Sequence, residues 1–129
     1  MIQVDKELLL RDLCTRVPFG IKASYYGTEE ACETWDEIEG VTLDGYVDIG
    51  QYSLPIERIK PYLFPLSSMT EKEWEDYQKI RMIDWVHGDI NGTFINACSI
   101  VDWLNKNHFD YRGLIEKGLA IDATGLNIY

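Results

Sequence analysis

Long apolar runs are missing from this chain of 129 residues. A membrane-spanning helix needs about 20 consecutive apolar residues, and Leu8-Leu9-Leu10 typifies the short runs present. A membrane span is therefore not expected. The start, Met1-Ile2-Gln3-Val4-Asp5-Lys6-Glu7, lacks the basic stretch and apolar core of a signal peptide, so the cytoplasm is the expected location. Without such a peptide the sequon Asn91-Gly92-Thr93 is a chance match. Cysteine is sparse too. Cys14, Cys32 and Cys98 form no CxxC pair, which argues against a zinc knuckle or a redox dithiol. Each is expected to be a small buried apolar residue in a reducing compartment. The scarcest feature is positive charge: residues 23–57 contain no Lys or Arg at all. Binding to nucleic acid or an anionic membrane, which needs a basic surface, is disfavoured.

Acidic and apolar residues fill that space. The net charge is −10, and residues 23–57 alone carry −9 of it through Glu29, Glu30, Glu33, Asp36, Glu37, Glu39, Asp44, Asp48 and Glu57. At 46 % hydrophobic and 12 % aromatic the chain is too apolar to be disordered. Its length fits a single domain spanning residues 1–129.

The hydrophobic pattern changes period along the chain. Leu9, Leu13 and Val17 recur on one face of a helix expected over 5–17, with Asp5 as N-cap and Leu10 and Cys14 beside that face. Pro18 and Gly20 stop it. A β region is expected over 21–66. Ile21, Ala23 and Tyr25 alternate with Lys22, Ser24 and Tyr26, and Gly27-Thr28 reads as a turn. The stretch Glu33-Thr34-Trp35-Asp36 gives a weak second strand because it is so acidic. Glu39-Gly40 reads as a hairpin turn, and Asp44-Gly45 as another turn or bulge before Tyr46–Ile49. Pro55, Pro61 and Pro65 are expected to confine their segment to an irregular sheet edge.

A helical region is expected over 70–117. Thr70-Glu71-Lys72-Glu73 forms a capping box, and Trp74, Tyr77 and Ile80 then share a core-facing stripe. Asp84 to Gly92 reads as a break. A second helix over about Asn96–Asn107 would bury Ile100, Val101 and Leu104, with Trp103 beside them. Asp110 can cap a last turn ended by Gly118, and an irregular tail covers 118–129. The fold class expected is α+β: a small antiparallel sheet or open barrel, Src-homology-3-like in one version, preceded by one helix and followed by two to three.

Signatures of catalysis are absent. Ser67 and Ser68 lack a GxSxG frame, and no P-loop, GxGxxG turn, HExxH helix or EF-hand loop occurs. Carboxylate pairs such as Glu29-Glu30 are too common to signal a glycosidase. Cys98 with His108 has the residue types of a nucleophile and base but no supporting motif. His108 follows a helix C-terminus, where its positive form would favour the dipole. Asp84, His87 and Asp89 have the composition of a metal or hydrolase site, with no second histidine close by. No catalytic residue, metal ligand or cofactor is assigned.

The remaining feature is the interleaving of aromatics with acids: Tyr25, Tyr26, Trp35, Asp36, Glu37, Tyr46 and Tyr52. If exposed, they would make a binding surface for a basic protein partner, with the aromatics as anchors. An alternative is a decoy imitating the phosphate charge of DNA. The bland alternative is a core of aromatics under a solvated acidic face.

Two stretches carry a family resemblance. Asp48-Ile49-Gly50-Gln51-Tyr52-Ser53-Leu54-Pro55, running on through Ile59-Lys60-Pro61-Tyr62-Leu63 to Ser67-Ser68-Met69-Thr70, is one. Asp102-Trp103-Leu104-Asn105 through Phe109-Asp110-Tyr111-Arg112-Gly113-Leu114-Ile115 is the other. Across most of its length, apart from Tyr77 to Cys98, the chain resembles an uncharacterised family of small acidic proteins from gut bacteroidete bacteria and their prophages or mobile elements. The resemblance implies a bacterial cytoplasmic setting and supplies no activity.

Overall fold

The computed structural model describes residues 2–25, 34–87 and 90–129, with the backbone alone for 81–87 and 90–97. Helix α1 (Gln3–Arg16) opens the chain. Ile2, in extended conformation, occupies the N-cap without a side-chain bond. Asp5 therefore lies inside the first turn, where its carboxylate complements the helix dipole instead of capping it. Pro18 sits in the 3-10 turn Val17–Phe19, and Gly20 at φ +80 stops the helix as its sequence implies.

The buried stripe of α1 is Leu9, Asp12, Leu13 and Arg16. It keeps the expected leucines but is rotated away from Cys14, which is exposed, as is Cys98. The expectation that these two cysteines are buried is thus corrected, while Cys32 lies outside the described residues. Fully buried leucines such as Leu9 and Leu13 each contribute about 1.5–3 kcal/mol.

Strands β1 (Lys22–Tyr25), β2 (Thr34–Val41), β3 (Tyr46–Ile49) and β4 (Tyr52–Pro55) follow. After the 3-10 turn Ile56–Arg58 comes β5 (Ile59–Pro65). Helices α2 (Glu71–His87) and α3 (Ile90–Lys106) lead to the short strands β6 (Phe109–Asp110) and β7 (Ile121–Asp122). The sheet order is β4-β3-β2-β1-β5-β6, with β7 also on β5. Pairing is antiparallel from β4 through β5, and parallel where β6 and β7 join β5. Nothing in this order closes a barrel among the described residues, so the α+β class holds in its open-sheet version.

Four local expectations change, the first in the tail expected to be irregular over 118–129, where Ile121–Asp122 forms β7 on β5. Glu39-Gly40 is not a turn: β2 runs through it with a register shift between Ile38 and Gly40, and the chain reverses at Thr42–Gly45 instead. The second residue pair, Asp44-Gly45, supplies the positive φ that this reversal needs. The proline-bearing segment is not an irregular edge either. β5 lies between β1 and β6, because a proline removes only its own N–H donor, and β5 bonds through Phe64 N–H to His108 and through the Leu63 carbonyl from Ala123. Finally, the break expected over Asp84–Gly92 is helical up to His87 and again from Ile90.

The capping box is present. Thr70 Oγ1 accepts the Glu73 N–H at 3.2 Å, and Glu73 Oε1 accepts the Thr70 N–H at 3.0 Å. Downstream, Trp74 is half exposed rather than core-facing, and Val101 is exposed while Leu104 is buried. Trp74 is the outer end of an aromatic file: Trp74–Tyr77 centroids are 5.7 Å apart, Tyr77–Trp103 6.0 Å and Trp103–Phe109 5.6 Å. Asp110 caps the following turn, its carboxylate accepting the N–H groups of Arg112, Leu114 and Ile115.

Candidate functional site

Strand register sorts the acidic and aromatic residues onto faces, since residues directly opposite in an antiparallel pair share one side of the sheet. Ile38 opposes Ile49, and Val47 opposes Leu54. All four are buried in the core that also contains Leu9 and Leu13 of α1. The other side carries Trp35 and Glu37 on β2, Tyr46 and Asp48 on β3, and Ser53 on β4. Trp35 is 47 % exposed and Tyr46 44 %.

The expected surface therefore divides. Trp35, Glu37 and Tyr46 share the open face. Tyr25 and Asp36 belong to the core side, as their register with Ile59 and Ala23 shows. Tyr25 is buried, which corrects its place among the exposed anchors. Its ring lies 6.1 Å from that of Tyr52, which faces the same side at the exposed end of the sheet. Burial, then the Asp36 carboxylate and the Tyr52 ring, push the Tyr25 hydroxyl above its ordinary pKa. Tyr26 lies outside the described residues.

The acids of the block divide as well. Glu29, Glu30 and Glu33 lie outside the described residues. Glu57 is paired with Lys6, and that hydrogen bond holds its carboxyl below the usual range. Asp44 accepts a hydrogen bond from Thr42 at the hairpin turn. Asp36, Glu37, Glu39 and Asp48 have no salt bridge among the described residues. On the open face Glu37 and Asp48 thus have no ion pair among the described residues, while Lys22 and Lys60 lie on the same side of the sheet by register.

Tyr46 also borders a groove of about 300 Å³ between α1 and the β2–β3 turn, with Leu10 and Ile56 in its wall and Leu43 at its rim. Leu43 is 93 % exposed. Sequence reasoning did not single it out, because one leucine beside Asp44-Gly45 carries no periodic signal.

A second missed feature joins the face to the C-terminal residues. Lys22 Nζ lies 5.4 Å from the Trp35 centroid and 5.5 Å from that of Tyr129, and it donates to the Ile128 carbonyl at 2.8 Å. The Tyr129 hydroxyl accepts the Lys22 N–H and donates to the Tyr62 carbonyl, both at 2.9 Å. Enclosure of the Tyr129 hydroxyl raises its pKa, chiefly by desolvation. The Tyr129 ring stacks on His108 at 3.6 Å.

His108 is not the cationic helix terminus that its position implies. Burial, with Arg16 and Lys22 nearby, pushes its pKa down from 6.5 to about 4, so it is neutral at pH 7. It adopts φ 63, and its Nδ1 is buried without a hydrogen-bond partner.

No group of three or more His, Cys, Asp or Glu side chains stands ready for a metal among the described residues. Asp84 and His87 fall in α2 where only the backbone is described, and Asp89 lies outside the described residues. No helix of the described residues is long and apolar enough to cross a membrane. Compared with known proteins, the chain matches no family model, no curated protein and no solved structure.

Proposed function

We propose that this chain is a non-enzymatic interaction module that docks a basic protein surface on the open face of β2, β3 and β4. The observation that carries this reading is the placement of Trp35 and Tyr46 on the same side as Glu37 and Asp48, each aromatic close to half exposed. Exposed tryptophan and tyrosine are the side chains that anchor protein interfaces. Carboxylates around them steer a cationic partner and penalise an anionic one. The same aromatics favour an anchored docking module over the alternative of a DNA-imitating decoy that blocks a nucleic-acid-binding enzyme, for which carboxylates alone would suffice. In keeping with the family resemblance, the setting is a bacterial cytoplasm, and the partner is a host or mobile-element protein with a basic face.

The test is retention of a bacterial protein on the immobilised chain. Retention at low salt is expected, with release at about 1 M salt, where charges are screened beyond about 3 Å. Trp35→Ala and Glu37→Lys should each abolish it while leaving the circular dichroism spectrum unchanged. Retention that survives both substitutions, or that is absent at low salt, overturns the reading.

A further inference from the structure

Trp35 already holds a cation supplied by its own chain. Lys22 and Glu37 are opposite each other across β1 and β2, and Ser24 opposes Trp35, so Lys22 and Trp35 are diagonal neighbours on the open face. From there the ammonium reaches over the indole at 5.4 Å. The Ile128 carbonyl accepts from it at 2.8 Å, and the Tyr129 centroid lies 5.5 Å from it. The Tyr129 hydroxyl is in turn tied to Lys22 N–H and to the Tyr62 carbonyl. Residues 128 and 129 therefore act as a strap that seats Lys22. Despite this contact Trp35 keeps 47 % of its surface exposed.

Resting on the interaction reading above, we propose that Trp35 recognises an arginine side chain of the basic partner, and that Lys22, seated by the Ile128–Tyr129 strap, is a built-in competitor for the same ring. The contact with Lys22 shows the chemistry that the ring accepts in place. An incoming guanidinium is better suited to it than an ammonium. Its plane stacks on the indole face, whereas an ammonium is a compact, strongly hydrated point charge. Glu37 and Asp48 lie on the same side of the sheet as Trp35 without a salt bridge among the described residues, so the complement they invite is cationic. Lys22 would then keep its bond to Ile128 while giving up the ring.

Titration with a hexaarginine peptide, followed by calorimetry and by the Trp35 indole resonance, tests this. Lys22→Met keeps the aliphatic stem and the backbone bonds, and should tighten binding about three- to ten-fold. Lys60→Met removes the same charge from the next strand, where Lys60 opposes Ser24, and should give a clearly smaller gain. In a Trp35→Leu background the advantage of Lys22→Met should vanish. Equal gains from Lys22→Met and Lys60→Met, or no gain from either, would sink the competitor proposal. If binding is then still lost in Glu37→Lys, the interaction reading survives. Absence of low-salt binding in both the native chain and Lys22→Met would overturn the two together.

Discussion

The Arg16 guanidinium donates from Nη2 to the carbonyl oxygen of Phe109 at 2.7 Å, joining α1 to a strand 93 residues later in the chain. Its Nε donates to Asp12 Oδ2, also at 2.7 Å, and both side chains are fully buried. Arg112 Nε approaches the other Asp12 oxygen at 3.2 Å. Both guanidinium groups approach the Tyr111 ring, whose centroid is 5.0 Å from Arg16 Cζ and 5.2 Å from Arg112 Cζ.

Arg16→Ala should therefore destabilise the fold by about 3–5 kcal/mol, because it leaves the buried Asp12 carboxylate with the Arg112 contact alone and the Phe109 carbonyl without this donor. The double substitution Asp12→Leu with Arg16→Met should cost distinctly less, since it removes both charges and fills the space. Urea denaturation of the three proteins measures the difference. A double variant less stable than Arg16→Ala would contradict the buried-pair account.

A pH effect follows from His108. Its folded pKa is depressed to about 4 from 6.5, so the unfolded chain binds the proton more readily. The resulting stability is fully present above about pH 6.5 and is lost as pH falls through about 4, with an upper bound of about 3 kcal/mol. Urea midpoints between pH 7 and 4 should fall less steeply in His108→Asn, a residue that tolerates positive φ. Identical slopes would remove His108 as the cause.

Gly50 and Tyr25 form a testable couple. Gly50 has φ +59, and a Cβ there would lie 2.6 Å from the Tyr25 hydroxyl oxygen. Gly50→Ala should cost more than the roughly 1 kcal/mol of left-handed backbone strain alone. Its cost should shrink in a Tyr25→Phe background, where the clashing oxygen is gone. Additive losses in a double-mutant cycle would refute the steric account.

The reciprocal bonds of Thr70 and Glu73 predict a loss of about 1 kcal/mol for Thr70→Ala. Thermal unfolding is sufficient to detect it. With Thr70 already replaced, Glu73→Ala should add little, because the two caps act on one helix end. An unchanged melting temperature in Thr70→Ala would argue that α2 is held by its packing alone.

Features set by neighbouring residues were the ones legible in the sequence. The capping box, the stop at Pro18 and Gly20 and the cap by Asp110 each need only a few consecutive residues. Features set by distant partners were not. Asp12 and Arg16, four apart on a helix, have the pattern of an ordinary surface pair, and only the Phe109 carbonyl explains their burial. β2 was weakly visible because Ile38 is its one fully enclosed side chain, so no period of two emerges. The candidate face was legible as composition, but its division was not. Which of Tyr25 and Trp35 points outward depends on the register with β1 and β5. The link from Lys22 to Tyr129 spans nearly the whole chain, and no local pattern announces it.

The position of β5 bears on how the chain can be made. Its first half pairs with β1, but Tyr62 and Phe64 wait for Ile121 and Phe109. Closing such long loops carries an entropic cost before any contact repays it. On the ribosome, the strands up to β5 emerge while those later partners are still unmade. A nascent chain halted before Phe109 would expose Leu63 and an unpaired strand edge, a surface that promotes aggregation. Translation through the last strand is thus the step that makes the product safe to release.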